Sequence, residues 1–182
     1  MPTTDANSIG FRMGVNAGEP LENSSKLFGD TIQLAAYMCA IAKHHQIALT
    51  SAVKELISKD HLQNGEHNFL CLSPNDEALL KSLFNILELN WQNSEFDITE
   101  YCQSMAMSKS QLYRKTIALT GIAPNEFFKE FRLEKAKELM KKKRHSISQI
   151  TFDSGFASPS YFTKCFKKKY GLLPMTYLEL MH

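Results

Sequence analysis

Between Ser146 and Pro174 the apolar positions follow helical spacing twice, on either side of a break at Asp153-Ser154-Gly155. Ile147 and Ile150 predict a short amphipathic helix, with Ser146 as its N-cap. Gly155 permits a sharp turn and Phe156 plugs it. Beyond the turn, Phe162, Phe166 and Tyr170 recur every four residues and form one buried stripe. Ser158 caps this second helix, Pro159 takes the favoured first-turn position and Gly171 ends it.

The pattern occurs twice. At an offset of fifty residues Ser108 falls on Ser158, Ser110 on Ser160, Leu112 on Phe162, Gly121 on Gly171, Pro124 on Pro174 and Phe127 on Tyr177. Before the turn the offset is forty-nine, so that Ile98 falls on Ile147. Each copy reads as helix, turn, helix, and two copies make a pair of similar modules rather than a solenoid. In the first copy Asp97 or Thr99 caps a helix carrying Ile98, Tyr101, Cys102 and Met105. Ser108 caps the next, and Gly121 closes it.

The buried stripes fix which side chains remain outside. In the second copy these are Ser160, Tyr161, Lys164, Lys167 and Lys168; in the first, Ser110, Gln111, Tyr113, Arg114 and Lys115. A solvated helix face explains either set alone. Their repetition in helix-turn-helix context favours a DNA-reading surface. Between the copies, Pro124 to about Lys142 predicts one long helix with Phe127, Phe128, Phe131, Ala136 and Leu139 inside. Its length of about 28 Å approaches the roughly 34 Å of a DNA turn. Such a connector suits two recognition helices placed in successive major grooves on one face of a duplex. The run Lys141 to Arg144 reads as a solvated helix end, with scope for phosphate contact.

Charge sharpens the picture. The chain of 182 residues carries a formal +2, but unevenly. Residues 1–76 hold five Lys and Arg against eight Asp and Glu; residues 77–182 hold sixteen against eleven. The basic excess lies in the half with the repeated motif, as a polyanion-binding module requires. Cys39, Cys71, Cys102 and Cys165 are scattered without metal-ligand spacing and read as reduced thiols of a cytoplasmic protein. No segment reads as a secretory signal or a bilayer span.

The stretches "SKSQLYRKTIALTGIAPNEFFKEFRLEKAKELM" and "ISQITFDSGFASPSYFTKCFKKKYGLLP" resemble the DNA-binding domain of AraC/XylS-type transcription regulators, from about Leu79 to the C-terminus. The resemblance implies a seven-helix domain with two helix-turn-helix units. It also implies that base-facing residues fall on Ser110, Gln111, Tyr113 and Arg114 in the first recognition helix, and on Ser160, Tyr161 and Lys164 in the second. Arg114 and Gln111 have the forks suited to guanine and adenine edges, whereas lysines mostly hold phosphates.

Further upstream, "FRMGVNAGEP" and "LFGDTIQLAAYMCAIAKHHQIALTSAVKEL" resemble the C-terminal portion of a class III nucleotide cyclase domain. That resemblance implies a strand ending near Gly18, a helix from about Gly29 to Ala42, a strand at 46–49 and a short helix from Ser51. The cyclase's ribose-orienting Asn and triphosphate-neutralising Arg are replaced by Gln33 and Tyr37, and its metal-binding aspartates have no counterpart. Without them phosphate attack lacks transition-state support.

The expected fold is mainly α: two helix-turn-helix units joined by a long helix, after a small α+β N-terminal domain. The expected boundaries are 1–72 for a partial cyclase-like domain and 73–182 for the DNA-binding domain. The expected function is sequence-specific DNA binding in transcription regulation, without catalysis, cofactor or metal. Expected partners are double-stranded DNA, RNA polymerase and a second copy of the chain through the N-terminal domain, with no membrane. The alternative is a nucleotide-binding sensor or dimerisation protein built on the cyclase-like remnant.

Overall fold

Three short strands, β1 (Arg12–Val15), β2 (Gln46–Leu49) and β3 (Asn68–Cys71), pair in the order β1-β2-β3, all parallel. The computed structural model describes residues 10–18, 29–57, 68–142 and 146–181. In register, Met13 lies beside Ile47 and Ile47 beside Phe69. Parallel neighbours require a crossover, and helix α1 (Gly29–Ile41) lies between β1 and β2 in the chain. Strand and helix therefore alternate here. Gly14 is what lets α1 approach β1: a β-carbon there would stand 2.0 Å from the Ala35 carbonyl oxygen. Helix α2 (Ser51–Leu56) follows β2, with Thr50 accepting from the Val53 amide as its N-cap.

The strand and helix bounds expected for this region fall close to β1, α1, β2 and α2, although β1 ends at Val15, before Gly18. Tyr37, at the position of the cyclase arginine, is buried and stacks on Phe84 with ring centroids 4.0 Å apart. Its hydroxyl accepts from Gln33 Nε2 at 2.6 Å. A side chain built into the core in this way is not placed to neutralise a triphosphate.

Helix α3 (Pro74–Asn90) buries Leu80, Leu83, Phe84 and Leu87 on one stripe. The chain divides into two compact units, Met1–Phe84 and Asn85–His182, so the division falls within α3.

The second unit holds the repeated motif. Helices α4 (Ile98–Ser104) and α5 (Lys109–Thr120) form the first copy; α7 (Ile147–Asp153) and α8 (Pro159–Tyr170) form the second. Helix α6 (Pro124–Lys141) joins them, and α9 (Pro174–Leu180) follows. Capping explains why these boundaries fall where they do. Asp97, rather than Thr99, caps α4 in a reciprocal box with Glu100. Ser108 does the same with Gln111, and Ser146 with Gln149, each arrangement satisfying two otherwise unpaired amides. Gly121 and Gly171 end α5 and α8 in the left-handed conformation, at φ 79° and 77°.

Helix α6 serves two cores. Phe128, near its start, packs its ring against Phe96 at 5.3 Å and Tyr101 at 6.4 Å in the first copy. Further on, Leu133, Ala136 and Met140 join Ile150, Phe156, Phe162, Cys165 and Phe166 of the second. Its eighteen residues span about 27 Å. Lys141 and Lys142 are exposed at its end; Lys143 and Arg144 lie outside the described residues.

Candidate nucleic-acid interface

The stripe that buries each second helix also determines its outer face. Leu112 and Thr116 are buried in α5, and Phe162, Cys165 and Phe166 in α8. Ser110, Gln111, Arg114 and Lys115 stand exposed on α5, with Tyr113 half-buried beside them. On α8, Ser160, Tyr161, Lys164, Lys167 and Lys168 are all exposed. Each helix thus presents one polar or basic face of the kind the repeat predicts.

Two of these side chains are already engaged. The Gln111 amide oxygen accepts from the Ser108 backbone N–H at 3.0 Å and from its hydroxyl at 3.2 Å. Pairing both amide edges with an adenine means giving up that half of the capping box. Tyr161 leans toward the turn of its own copy: its ring lies 6.2 Å from that of Phe156. Its hydroxyl pKa is raised by a hydrogen bond with the Cys165 thiol and by partial burial.

Not every lysine of the basic run is free for phosphate. Lys169 Nζ pairs with Glu130, lies 3.2 Å from Glu134 Oε1 and donates to the Glu130 carbonyl oxygen at 3.1 Å. Lys137 approaches Glu134 at 3.1 Å. This cluster ties the end of α8 to α6. Burial alone would raise the Glu134 pKa, but Lys169 and Lys137 outweigh it and hold the carboxyl below its ordinary range.

Between the two copies runs an open groove of about 520 Å³, lined among others by Phe96, Tyr101, Phe128, Lys129, Phe156 and Tyr161. Lys129 bonds to Glu126 at 2.5 Å. Partial burial works against its charge, and Glu126 more than offsets this. Arg132 also borders the groove. Its Nε donates to the Trp91 carbonyl oxygen at 3.0 Å and its Nη2 to that of Asn93, with the guanidinium 4.0 Å from the Phe128 ring centroid. Burial lowers its pKa to about 10.

Arg132 and Lys169 are the functional candidates that sequence reasoning overlooked. Both are charged residues on helices whose apolar stripe alone was legible. What marks them is long-range pairing, which periodicity cannot reveal. Among the described residues, no group of three His, Cys, Asp or Glu is placed to hold a metal ion. No described helix is long and apolar enough to cross a membrane. The four cysteines are free thiols.

Two capped helix-turn-helix units on a shared connecting helix define a double helix-turn-helix DNA-binding domain. The family described as "Helix-turn-helix domain" matches residues 101–179, which covers both units. Histidine kinase P4 of Formosa agariphila is 39% identical over 122 residues, 65% of this chain and 9% of that protein. The HTH-type transcriptional regulator MtrA of Neisseria gonorrhoeae is 32% identical over 83 residues, 46% of this chain and 28% of its own length. The chain therefore spans less than a third of either relative. Among solved structures, the C-terminal domain of the two-component response regulator yesN from Fusobacterium nucleatum superposes with a TM-score of 0.53 at 26% identity. That match covers 56% of this chain and 98% of the domain. Residues 101–179 thus match a helix-turn-helix family, and the C-terminal region is similar to the DNA-binding domains of these transcription regulators. The comparisons lend no support to the cyclase-like resemblance upstream of it.

Proposed function

We propose that this chain acts as a sequence-specific transcription regulator, its DNA-binding part running from residue 73 onward. Helices α5 and α8 enter successive major grooves. Arg114 makes the principal base contact, since it is exposed, unengaged by the cap and able to bond a guanine edge with two parallel donors. Ser110, Tyr113, Ser160 and Lys164 supply further contacts in the grooves. Lys115, Lys167 and Lys168 hold phosphates. Gln111 reads a base only at the expense of its cap, and Tyr161 contributes from the groove side. The observation that carries this reading is the repetition itself: two similar faces, each polar or basic and each opposite a fully buried stripe, share one rigid helix. Fluorescence anisotropy of the full chain on labelled duplexes, with increasing salt, tests it. The expected result is tight binding whose logarithm falls linearly with log salt; salt-independent or absent binding contradicts it.

The P4 kinase and the yesN regulator each carry a similar region as part of a longer protein. We extend the proposal to a cytoplasmic setting with RNA polymerase as an eventual partner, and to an N-terminal unit that serves assembly rather than catalysis. Phe11, just before β1, and Met13 and Val15 on it are 38%, 48% and 38% exposed at one edge of the sheet. A second copy of the chain covers these residues in this reading. Light scattering over a concentration series checks it: a dimer is expected, and a monomer at all concentrations overturns it. Weak nucleotide binding by the same unit is the alternative, and calorimetry with ATP and GTP decides that point.

A further inference from the structure

Three segments distant in sequence meet at one side chain. Arg132, midway along α6, donates to the carbonyls of Trp91 and Asn93 in the segment leading into the first helix-turn-helix copy. Its guanidinium lies over the Phe128 ring, which itself packs on Phe96. From the other side comes Gly155, in the turn of the second copy. A β-carbon there would fall 2.1 Å from the Trp91 carbonyl oxygen and 2.9 Å from Arg132 Nε. The backbone of the second copy thus rests directly on the segment that opens the first, with Arg132 holding that segment in place.

We propose that Arg132 is a positioning residue for DNA recognition: it locks the two helix-turn-helix copies into one rigid bracket and so fixes which half-site spacing the chain accepts. This rests on the DNA-binding reading above and adds a determinant of specificity that touches no base.

The physical reasons are three. First, the guanidinium is planar and its donors are fixed in a fork, so two carbonyls bonded at once leave the Trp91–Asn93 segment little freedom to tilt. Second, the missing side chain at Gly155 lets the backbone of the second copy sit directly against the Trp91 carbonyl, so that this copy and the segment opening the first are in close backbone contact. Third, the far ends are tied as well: Lys169 joins α8 to Glu130 and Glu134 of α6, while Lys135 of α6 lies 2.9 Å from Glu88 of α3. Two recognition helices on a rigid bracket bind a matched pair of half-sites with a high effective concentration. The advantage vanishes when the geometry forbids simultaneous engagement. One inserted base pair displaces a half-site by about 3.4 Å and rotates it by about 35°. A flexible connection absorbs such a change; a bracket does not.

The test uses the full chain and duplexes carrying both half-sites, obtained by selection, with zero, one or two base pairs inserted between them, and a duplex carrying one half-site. The unaltered chain should lose about tenfold or more in affinity on the first insertion. Arg132→Gln should reduce that penalty to less than about threefold, while its affinity for the single half-site stays within about twofold of the unaltered chain. Arg132→Lys, which keeps the charge but only one carbonyl contact, should fall between. A folded Arg132→Gln variant with an unchanged spacing penalty overturns the proposal, as does an unaltered chain indifferent to insertion. A second measurement needs neither variant nor DNA: ¹⁵N relaxation of the unaltered chain. Amides of residues 97–120 and 146–170 should report one common tumbling time, and two distinct times overturn the bracket. A chain that binds no duplex refutes the DNA-binding reading instead, and the relaxation result still decides whether the bracket exists.

Discussion

Gly155 and Trp91 meet so closely that a single methyl group at Gly155 would stand 2.1 Å from the Trp91 carbonyl oxygen. The equivalent position in the first copy shows that the backbone conformation is not the whole reason for glycine. There, forty-nine residues earlier, Ala106 adopts φ 49° and is exposed. Gly155 has φ 77° and is buried. Gly155→Ala combines left-handed strain with overpacking against backbone and should cost about 2–4 kcal/mol. Gly121 and Gly171 have nearly the same φ but nothing within 4 Å of a β-carbon, so their alanine variants should cost only about 1–2 kcal/mol. Urea denaturation of the three variants checks this; equal losses at all three contradict it.

Why Gly155 was legible as a turn residue but not as a contact illustrates what the sequence could carry. The caps at Asp97, Ser108, Ser146 and Ser158, the terminators Gly121 and Gly171, and the stripe of Phe162 and Phe166 are all local. Each depends on residues a few positions apart, so spacing alone exposes them. The stripe of α3 is local too, since Leu80, Leu83 and Leu87 follow helical spacing, whereas the four residues of β3 are too few for alternation to mark a strand. Arg132 is a different case. Its partners lie about forty residues away, and nothing in the pattern around "EFRLEK" separates it from a solvated arginine. Gln111 is a local case: its place three residues after Ser108 is the spacing of a capping box, which competes with the base-reading role its amide suggests.

The two recognition helices should divide their labour measurably. Arg114→Ala should weaken the preferred site by about 1–3 kcal/mol and relax the preference at one base pair. Replacing Lys167 or Lys168 with alanine should weaken binding to all sequences alike and lower the salt slope by roughly one unit per lost phosphate contact. Isotherms on preferred and scrambled duplexes at several salt concentrations separate these effects. An Arg114→Ala variant that loses both affinities equally assigns Arg114 to phosphate.

Acid should loosen the tie between α8 and α6. Glu134 has an ordinary pKa of 4.5, and pairing with Lys169 and Lys137 lowers it in the folded chain. A carboxyl depressed on folding stabilises the fold fully above its unfolded pKa, and that contribution is lost as the pH falls through the folded value. Stability should therefore decline below about pH 4.5, and Lys169→Ala, itself costing about 1–2 kcal/mol at neutral pH, should flatten the decline. Denaturant midpoints from pH 7 to pH 3 show whether the two curves converge in acid. Parallel curves would mean that the pair contributes nothing.

The N-terminal unit should make no cyclic nucleotide from ATP or GTP with magnesium or manganese. Nor should cyclase-like substitutions restore activity. Tyr37 is buried and stacked on Phe84, so Tyr37→Arg places an unpaired charge in the core. The expected cost is about 3–5 kcal/mol, read as a large drop in thermal midpoint. A Gln33→Asn, Tyr37→Arg double variant that stays folded and turns over ATP would contradict both the packing argument and the assignment.

The central claim is that two recognition faces, held on one connecting helix, read DNA together. Selection of bound sites from a pool of random duplexes, read by sequencing, tests it most directly. The account predicts enrichment of a bipartite site: two short conserved blocks, centred about one helical turn apart, with the invariant guanine in the block contacted by Arg114. Enrichment of a single block, or of two blocks at freely varying separation, would contradict it.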